Sequence, residues 1–66
     1  MRKYGVLEGD AVLIGNHEAW SYLRGVWQEI SYADAFSKAQ LLSGATFTKM
    51  FPGIEKSLPS TAFELD

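Results

Sequence analysis

The segment that most constrains the fold is residues 16–30, which contains both tryptophans of the chain. At about 100° per residue, its apolar side chains fall on one side of a helical wheel and its polar side chains on the other. The apolar side is formed by Ala19, Trp20, Tyr22, Leu23, Val26, Trp27 and Ile30. This pattern predicts an amphipathic helix, with Asn16 as its N-cap and both indole rings buried in the core.

The same segment also permits one or two strands over residues 20–30. Four of its apolar residues share the parity that a strand requires: Trp20, Tyr22, Val26 and Ile30. Arg24 and Gln28 interrupt that alternation, whereas the helical wheel has no charged exception. Gly25 would cost a helix about 0.5–1 kcal/mol relative to alanine, and it would lie on the polar side. We therefore favour the helix over the strands.

A β-hairpin is predicted at the N-terminus, before this segment. Residues 4–7 and 11–14 are two short apolar runs. Gly9 and Asp10 lie between them and suit a tight reversal of the chain. The two runs would therefore pair as antiparallel strands.

A second helix is predicted over residues 32–43, where the apolar positions take a new phase. Ser31 and Asp34 resemble a capping box at its start, with Asp in place of the usual Glu or Gln. Gly44 follows the last periodic residue and is a suitable C-cap. The two helices would therefore meet at a sharp corner at Ser31.

The chain after the second helix gives a weaker signal. Residues 45–51 suit either a short helix capped by Thr46 or a strand, and this alternative stays open. Pro52 and Gly53 end that element. Together the elements predict an α+β fold, a single small domain over residues 1–66. It would have an N-terminal β-hairpin, two amphipathic helices and an irregular C-terminal segment.

Composition disfavours several classes of function. The 66 residues include no cysteine and one histidine, which excludes thiolate and multi-histidine metal sites. A net charge of −2 and a sequence pI near 5.2 disfavour nucleic acid as a partner, because nucleic-acid modules usually carry a basic face. No segment approaches the ~20 apolar residues that span a bilayer, and no secretory signal is present. We expect a cytoplasmic protein without a membrane partner.

The Gly-Asn-His-Glu sequence at residues 15–18 resembles the metal-binding block of calcineurin-like metallophosphoesterases. In that family the block follows a strand, and its Asn and His bind a pair of metal ions. The family also needs further histidines, whereas His17 is the one histidine of this chain. Leu13 stands where the family's Gly-Asp-x-x-Asp block has its second aspartate. A two-metal site cannot be assembled from what remains, so we expect no metal, no cofactor and no catalytic residues.

Residues 39–50 resemble the core of a helix-turn-helix DNA-binding unit. The matching residues are Ala39, Gly44, Thr46 and Met50, which would supply a close helix crossing, a turn, a cap and an apolar centre. The resemblance implies DNA contacts from Thr46, Thr48, Lys49 and Lys56. A transcription regulator of this kind is the alternative function.

The C-terminal part of the chain is dense in large apolar side chains and is broken by two prolines. Aromatic and methionine side chains are enriched at protein interfaces. We predict that a protein partner contacts Phe47, Met50, Phe51, Ile54, Leu58 and Phe63. A chain this short buries only roughly 60% of its unfolded surface, so self-association would stabilise it. The sequence therefore predicts a small non-enzymatic regulatory or assembly protein that binds another macromolecule, above all a protein, with homo-oligomers as a further expectation.

Overall fold

The structure is a computed structural model that describes residues 2–63. Its strands over that range are β1 (Lys3–Leu7), β2 (Asp10–Ile14), β3 (Ala19–Leu23), β4 (Val26–Ile30) and β5 (Gln40–Leu42). Its helices are α1 (Tyr32–Lys38), α2 (Gly44–Met50) and a 3-10 helix (Ile54–Ser57). The predicted α+β class is confirmed, together with the N-terminal hairpin. The structure also has two helices, of which α1 lies within the predicted second helix.

The five strands form one antiparallel sheet in the order β4-β3-β2-β1-β5. Strands β1 to β4 follow one another as hairpins, and β5 returns after α1 to pair with β1. Gly5 permits this close pairing, because a Cβ at residue 5 would lie 2.8 Å from the carbonyl oxygen of Gln40. Strands β4 and β5 are therefore the two edges of the sheet.

Two of the hairpins close with the same kind of two-residue turn. Glu8 and Gly9 have φ angles of 52° and 85°, and Arg24 and Gly25 have φ angles of 53° and 82°. Positive φ at both central residues is the mark of a type I′ turn, whose twist matches that of the flanking strands. Glycine adopts this conformation without the steric cost that a Cβ would bring.

The predicted helix over residues 16–30 is wrong, because this segment forms β3 and β4. Tyr22 pairs with Trp27 across the hairpin, so the two aromatic rings share one face of the sheet with centroids 5.1 Å apart. Arg24 interrupted the strand pattern because it lies in the turn, after which the alternation begins again. Asn16 is not a helix cap: it belongs to the loop between β2 and β3.

Helix α1 begins where the sequence predicted and ends earlier. The Ser31 side chain accepts a hydrogen bond from the Asp34 backbone N–H at 3.3 Å, which confirms the N-cap. The helix ends at Lys38 rather than at residue 43, because residues 40–42 pair with β1. Gly44 is consequently not a C-cap but the first residue of α2.

The open alternative at residues 45–51 is resolved as a helix that ends at Met50. Its N-cap is Ser43 rather than Thr46. The Ser43 hydroxyl accepts a hydrogen bond from the Thr46 backbone N–H at 3.2 Å and donates one to the Thr46 hydroxyl at 2.9 Å. These two bonds satisfy polar groups in the first turn of α2 and fix where the helix starts.

The sheet buries apolar side chains on both of its faces. On the face that we call the α2 face, the buried cluster is Ala11, Leu13, Trp27, Phe47 and Phe63. On the opposite face, which we call the α1 face, the buried cluster is Ile14, Ala19 and Ala35. The sheet therefore lies between α1 on one side and α2 with the C-terminal segment on the other.

Candidate protein-interaction surface

The segment predicted to contact a partner closes the core over the α2 face. Phe47 and Phe63 are only 1% and 8% exposed, so neither is available to a partner in this conformation. Phe51, Ile54 and Leu58 are half-buried and pack against the same cluster. Among the six predicted contact residues, Met50 alone is largely exposed, at 51%.

Specific polar contacts hold this C-terminal segment on the sheet. The Trp27 Nε1–H group donates a hydrogen bond of 3.1 Å to the carbonyl oxygen of Ile54. Arg2 pairs with Glu55 at 3.1 Å, and its guanidinium lies 4.6 Å from the centroid of the Phe63 ring. Residues from both ends of the described chain are thus joined at one place, as expected for a docked segment rather than a free one.

The side chains implied by the helix-turn-helix resemblance are all exposed: Thr46, Thr48, Lys49 and Lys56. The geometry of such a unit is not formed, however. Strand β5 lies between α1 and α2, so Gly44 is not in a turn that joins two crossing helices. Helix α2 also has only seven residues, and Lys49 is its one basic residue. DNA binding stays a prediction of the sequence.

The Gly-Asn-His-Glu sequence forms the loop between β2 and β3. The Gly15 backbone N–H donates a hydrogen bond of 2.8 Å to the Glu18 carbonyl, and His17 is exposed. The Glu18 carboxylate accepts a hydrogen bond of 2.6 Å from Trp20 Nε1. Over residues 2–63, no three His, Cys, Asp or Glu side chains are grouped in a way that could hold a metal ion. Gly15 and Glu18 therefore have structural contacts within or beside this loop.

An exposed apolar area lies on the α1 face, at the end of the sheet away from α1. Leu23 and Val26 are paired neighbours there, and they are 39% and 56% exposed. Gln28 is the next residue of β4 on the same face and is exposed as well. Helix α1 packs instead over Ile14 and Ala19, further along the strands.

This exposed area continues into a free strand edge. Within residues 2–63, β4 pairs with β3 alone, so one side of its backbone has no strand beside it. An unpaired edge presents N–H and C=O groups that can pair with another chain, and natural sheets usually protect it with lysine, proline or a bulge. Residues 26–30 contain neither lysine nor proline. We call Leu23, Val26, Gln28 and this backbone edge the β4 surface.

The β4 surface is not predicted by the helical pattern of residues 16–30, because that pattern puts Leu23 and Val26 on the buried side of a helix. A signal was present in the sequence, since Leu-x-Gly occurs at residues 7–9 and again at residues 23–25. The Leu-x-Gly sequence at residues 7–9 lies at the predicted turn of the first hairpin. A turn predicted in the same way at residues 23–25 would place Val26 at the start of a new strand.

Over the described residues, no helix is both long enough and apolar enough to cross a lipid bilayer. No protein-family model matches the chain, and the comparisons with curated proteins and with solved structures found no match either. The properties of the surface itself are therefore the basis for a proposal about function.

Proposed function

We propose that this protein is a small non-enzymatic regulatory or assembly protein that binds another protein through the β4 surface. The single observation that carries the proposal is the edge of β4 beside Val26, which no other strand of residues 2–63 covers and whose Val26 side chain is 56% exposed. A sheet edge supplies main-chain hydrogen bonds for affinity, and its neighbouring side chains supply specificity. The β4 surface offers both.

The charge of the chain supports a protein rather than a nucleic acid as the partner. Strand β4 contains no basic residue and one acidic residue, Glu29, and the whole chain has a net charge of −2. Binding to a phosphate backbone depends on lysine and arginine side chains that release counterions. An extended protein segment needs no such charge, because its own backbone pairs with the strand.

Cytoplasmic location is part of this proposal. The absence of cysteine from all 66 residues fits a reducing compartment, where disulfides do not stabilise small folds.

Site-specific photo-crosslinking in the producing cell tests the proposal. One variant carries a photoreactive phenylalanine analogue at Val26, and a matched control carries it at Met50, which is 51% exposed on α2. We expect crosslinks to protein from position 26 and few from position 50. Crosslinks from position 50 alone would favour the α2 side instead, and crosslinks to nucleic acid alone would overturn the proposal.

A further inference from the structure

We propose that the partner of the β4 surface is a second copy of this chain, an inference that rests on the proposed function. The two copies would pair β4 against β4 in antiparallel orientation, about a two-fold axis at Gln28. The product would be one continuous sheet of ten strands, five from each copy. A two-fold contact of this kind requires that the same surface be complementary to itself.

The backbone of β4 is arranged for this pairing. Leu23 and Val26 flank a two-residue turn, and such residues form a hydrogen-bonded pair across a hairpin. Backbone groups of alternate residues then point in opposite directions, so those of Trp27 and Glu29 point away from β3. Pairing about Gln28 places Trp27 opposite Glu29 of the second copy, and Glu29 opposite its Trp27. The four outward N–H and C=O groups of each copy would all be satisfied.

The side chains of β4 also suit this register. Val26 falls opposite Ile30 of the second copy, so an exposed apolar side chain meets another apolar side chain on the α1 face. Opposed apolar pairs stabilise antiparallel strands, whereas like charges directly opposite destabilise them. The one charged residue of the strand, Glu29, lies opposite Trp27 of the second copy rather than opposite the second copy's Glu29. Strand β4 can therefore pair with β4 of a second copy without placing like charges opposite each other.

Charges beyond the strand ends are complementary in the same register. In this register the turn at Arg24 lies near the start of α1 in the second copy, where Asp34 is in the first turn. Arg24 and Asp34 are both exposed, and neither forms an ion pair within the described part of the chain. The two-fold axis would bring an arginine of each copy toward an aspartate of the other. This contact would favour the antiparallel register over a slipped one.

The opposite edge of the sheet is much less suited to a second copy. Strand β5 has three residues, against five in β4. Short edge strands are one of the ways in which proteins avoid pairing between sheets. Pairing through β4 is therefore the contact that we expect.

Sedimentation and light-scattering mass of the full chain, from about 1 μM to 1 mM, test the inference. We expect a monomer–dimer equilibrium. Val26→Lys should raise the dissociation constant about tenfold or more, because it puts a charged side chain opposite the apolar Ile30 of the second copy. Met50→Lys is the matched control and should leave the dissociation constant unchanged. Met50 is 51% exposed, close to the 56% of Val26, but it lies on α2.

A charge exchange tests the register itself. Arg24→Glu should weaken the dimer, and it is compatible with the turn because Glu8 adopts the same positive φ in the first hairpin. Adding Asp34→Lys to that variant should restore part of the lost affinity. Amide exchange of the unmodified chain is a measurement that needs no variant. Protection at Trp27 and Glu29 should increase as the protein concentration rises.

A monomeric mass over the whole concentration range would overturn the inference. A dimer that Val26→Lys and Met50→Lys weaken equally would also overturn it. Crosslinks from position 26 to a different protein, with the chain monomeric, would leave the proposed function standing while this inference failed.

Discussion

Single residues fix the C-terminal segment on the sheet and the last strand within it. Trp27 is buried on the α2 face, and its indole N–H reaches the carbonyl oxygen of Ile54 at 3.1 Å. Gly5 is buried beside β5, where a Cβ would meet the Gln40 carbonyl at 2.8 Å. The burial of Trp27 was predictable from the apolar content of its segment. The contacts of both residues depend on segments far away in the sequence and were not.

Trp27→Phe should lower the free energy of unfolding by about 1–2 kcal/mol, because it removes both a hydrogen bond and part of a buried ring. The control is Trp20→Phe, which should cost less because Trp20 is only half-buried and its partner is the Glu18 carboxylate. Urea denaturation of both variants measures the difference. An equal or larger loss for Trp20→Phe would contradict the role given to Trp27.

Gly5→Ala should destabilise the protein by about 1–3 kcal/mol, because the added methyl group forces β5 away from β1. Gly44→Ala is the matched control. Its Cβ would lie 3.4 Å from Tyr4 Cε2, an ordinary contact distance, and alanine favours the first turn of α2. Thermal unfolding followed by circular dichroism compares the two variants. A neutral Gly5→Ala would show that β5 does not approach β1 as closely as described.

At the scale of elements, the Ser31 cap and the first hairpin turn could be predicted, whereas the choice between helix and strand at residues 16–30 could not. Ser31 was recognised as a cap because its chemistry is local to one helix turn. Residues 16–30 satisfy a helical wheel by coincidence, since the Arg24-Gly25 turn divides two strands of five residues. The two halves of a hairpin each have period two, and the turn changes the phase between them. A helical wheel drawn over residues 16–30 therefore combines the separate alternating patterns of β3 and β4.

Gly25→Ala distinguishes the hairpin from the helix by the sign of its effect. In a type I′ turn, alanine at a φ of 82° is strained, so the variant should lose about 1 kcal/mol of stability. In an exposed helix the same change would increase stability. Gly9→Ala, at a φ of 85° in the first hairpin, is the comparison and should lose a similar amount. Chemical denaturation gives the sign directly, and stabilisation by Gly25→Ala would be evidence for the helix.

At the scale of the whole molecule, the size of the sheet explains why most residues of the predicted contact set are buried or half-buried. A five-stranded sheet has two faces to cover, and α1 covers part of one. The other face requires the apolar side chains of residues 47–63, which leaves only Met50 of the predicted contact set largely exposed. The apolar content of residues 47–63 is consistent with both a core and a partner interface, so it could not distinguish the two. The β4 surface was hidden for a related reason, because an edge exists only once the strand order is known.

DNA binding is best tested on the whole chain. We expect no mobility shift of mixed-sequence duplex DNA at about 50 mM salt, because non-specific binding depends on phosphate contacts by basic side chains. The chain carries six Lys and Arg against eight Asp and Glu. A shift that weakens as salt rises, and that Lys49→Glu abolishes, would support the helix-turn-helix alternative instead.

The central claim is that residues 19–30 form a hairpin whose outer strand is the edge of the sheet. The most direct test is the pattern of nuclear Overhauser contacts in this segment. We predict cross-strand contacts between Ser21 and Gln28 and between Tyr22 and Trp27, with no backbone-to-backbone contacts from β4 to any strand of the same chain except β3. A continuous series of helical contacts between residues three and four apart, running through all of residues 19–30, would contradict the claim.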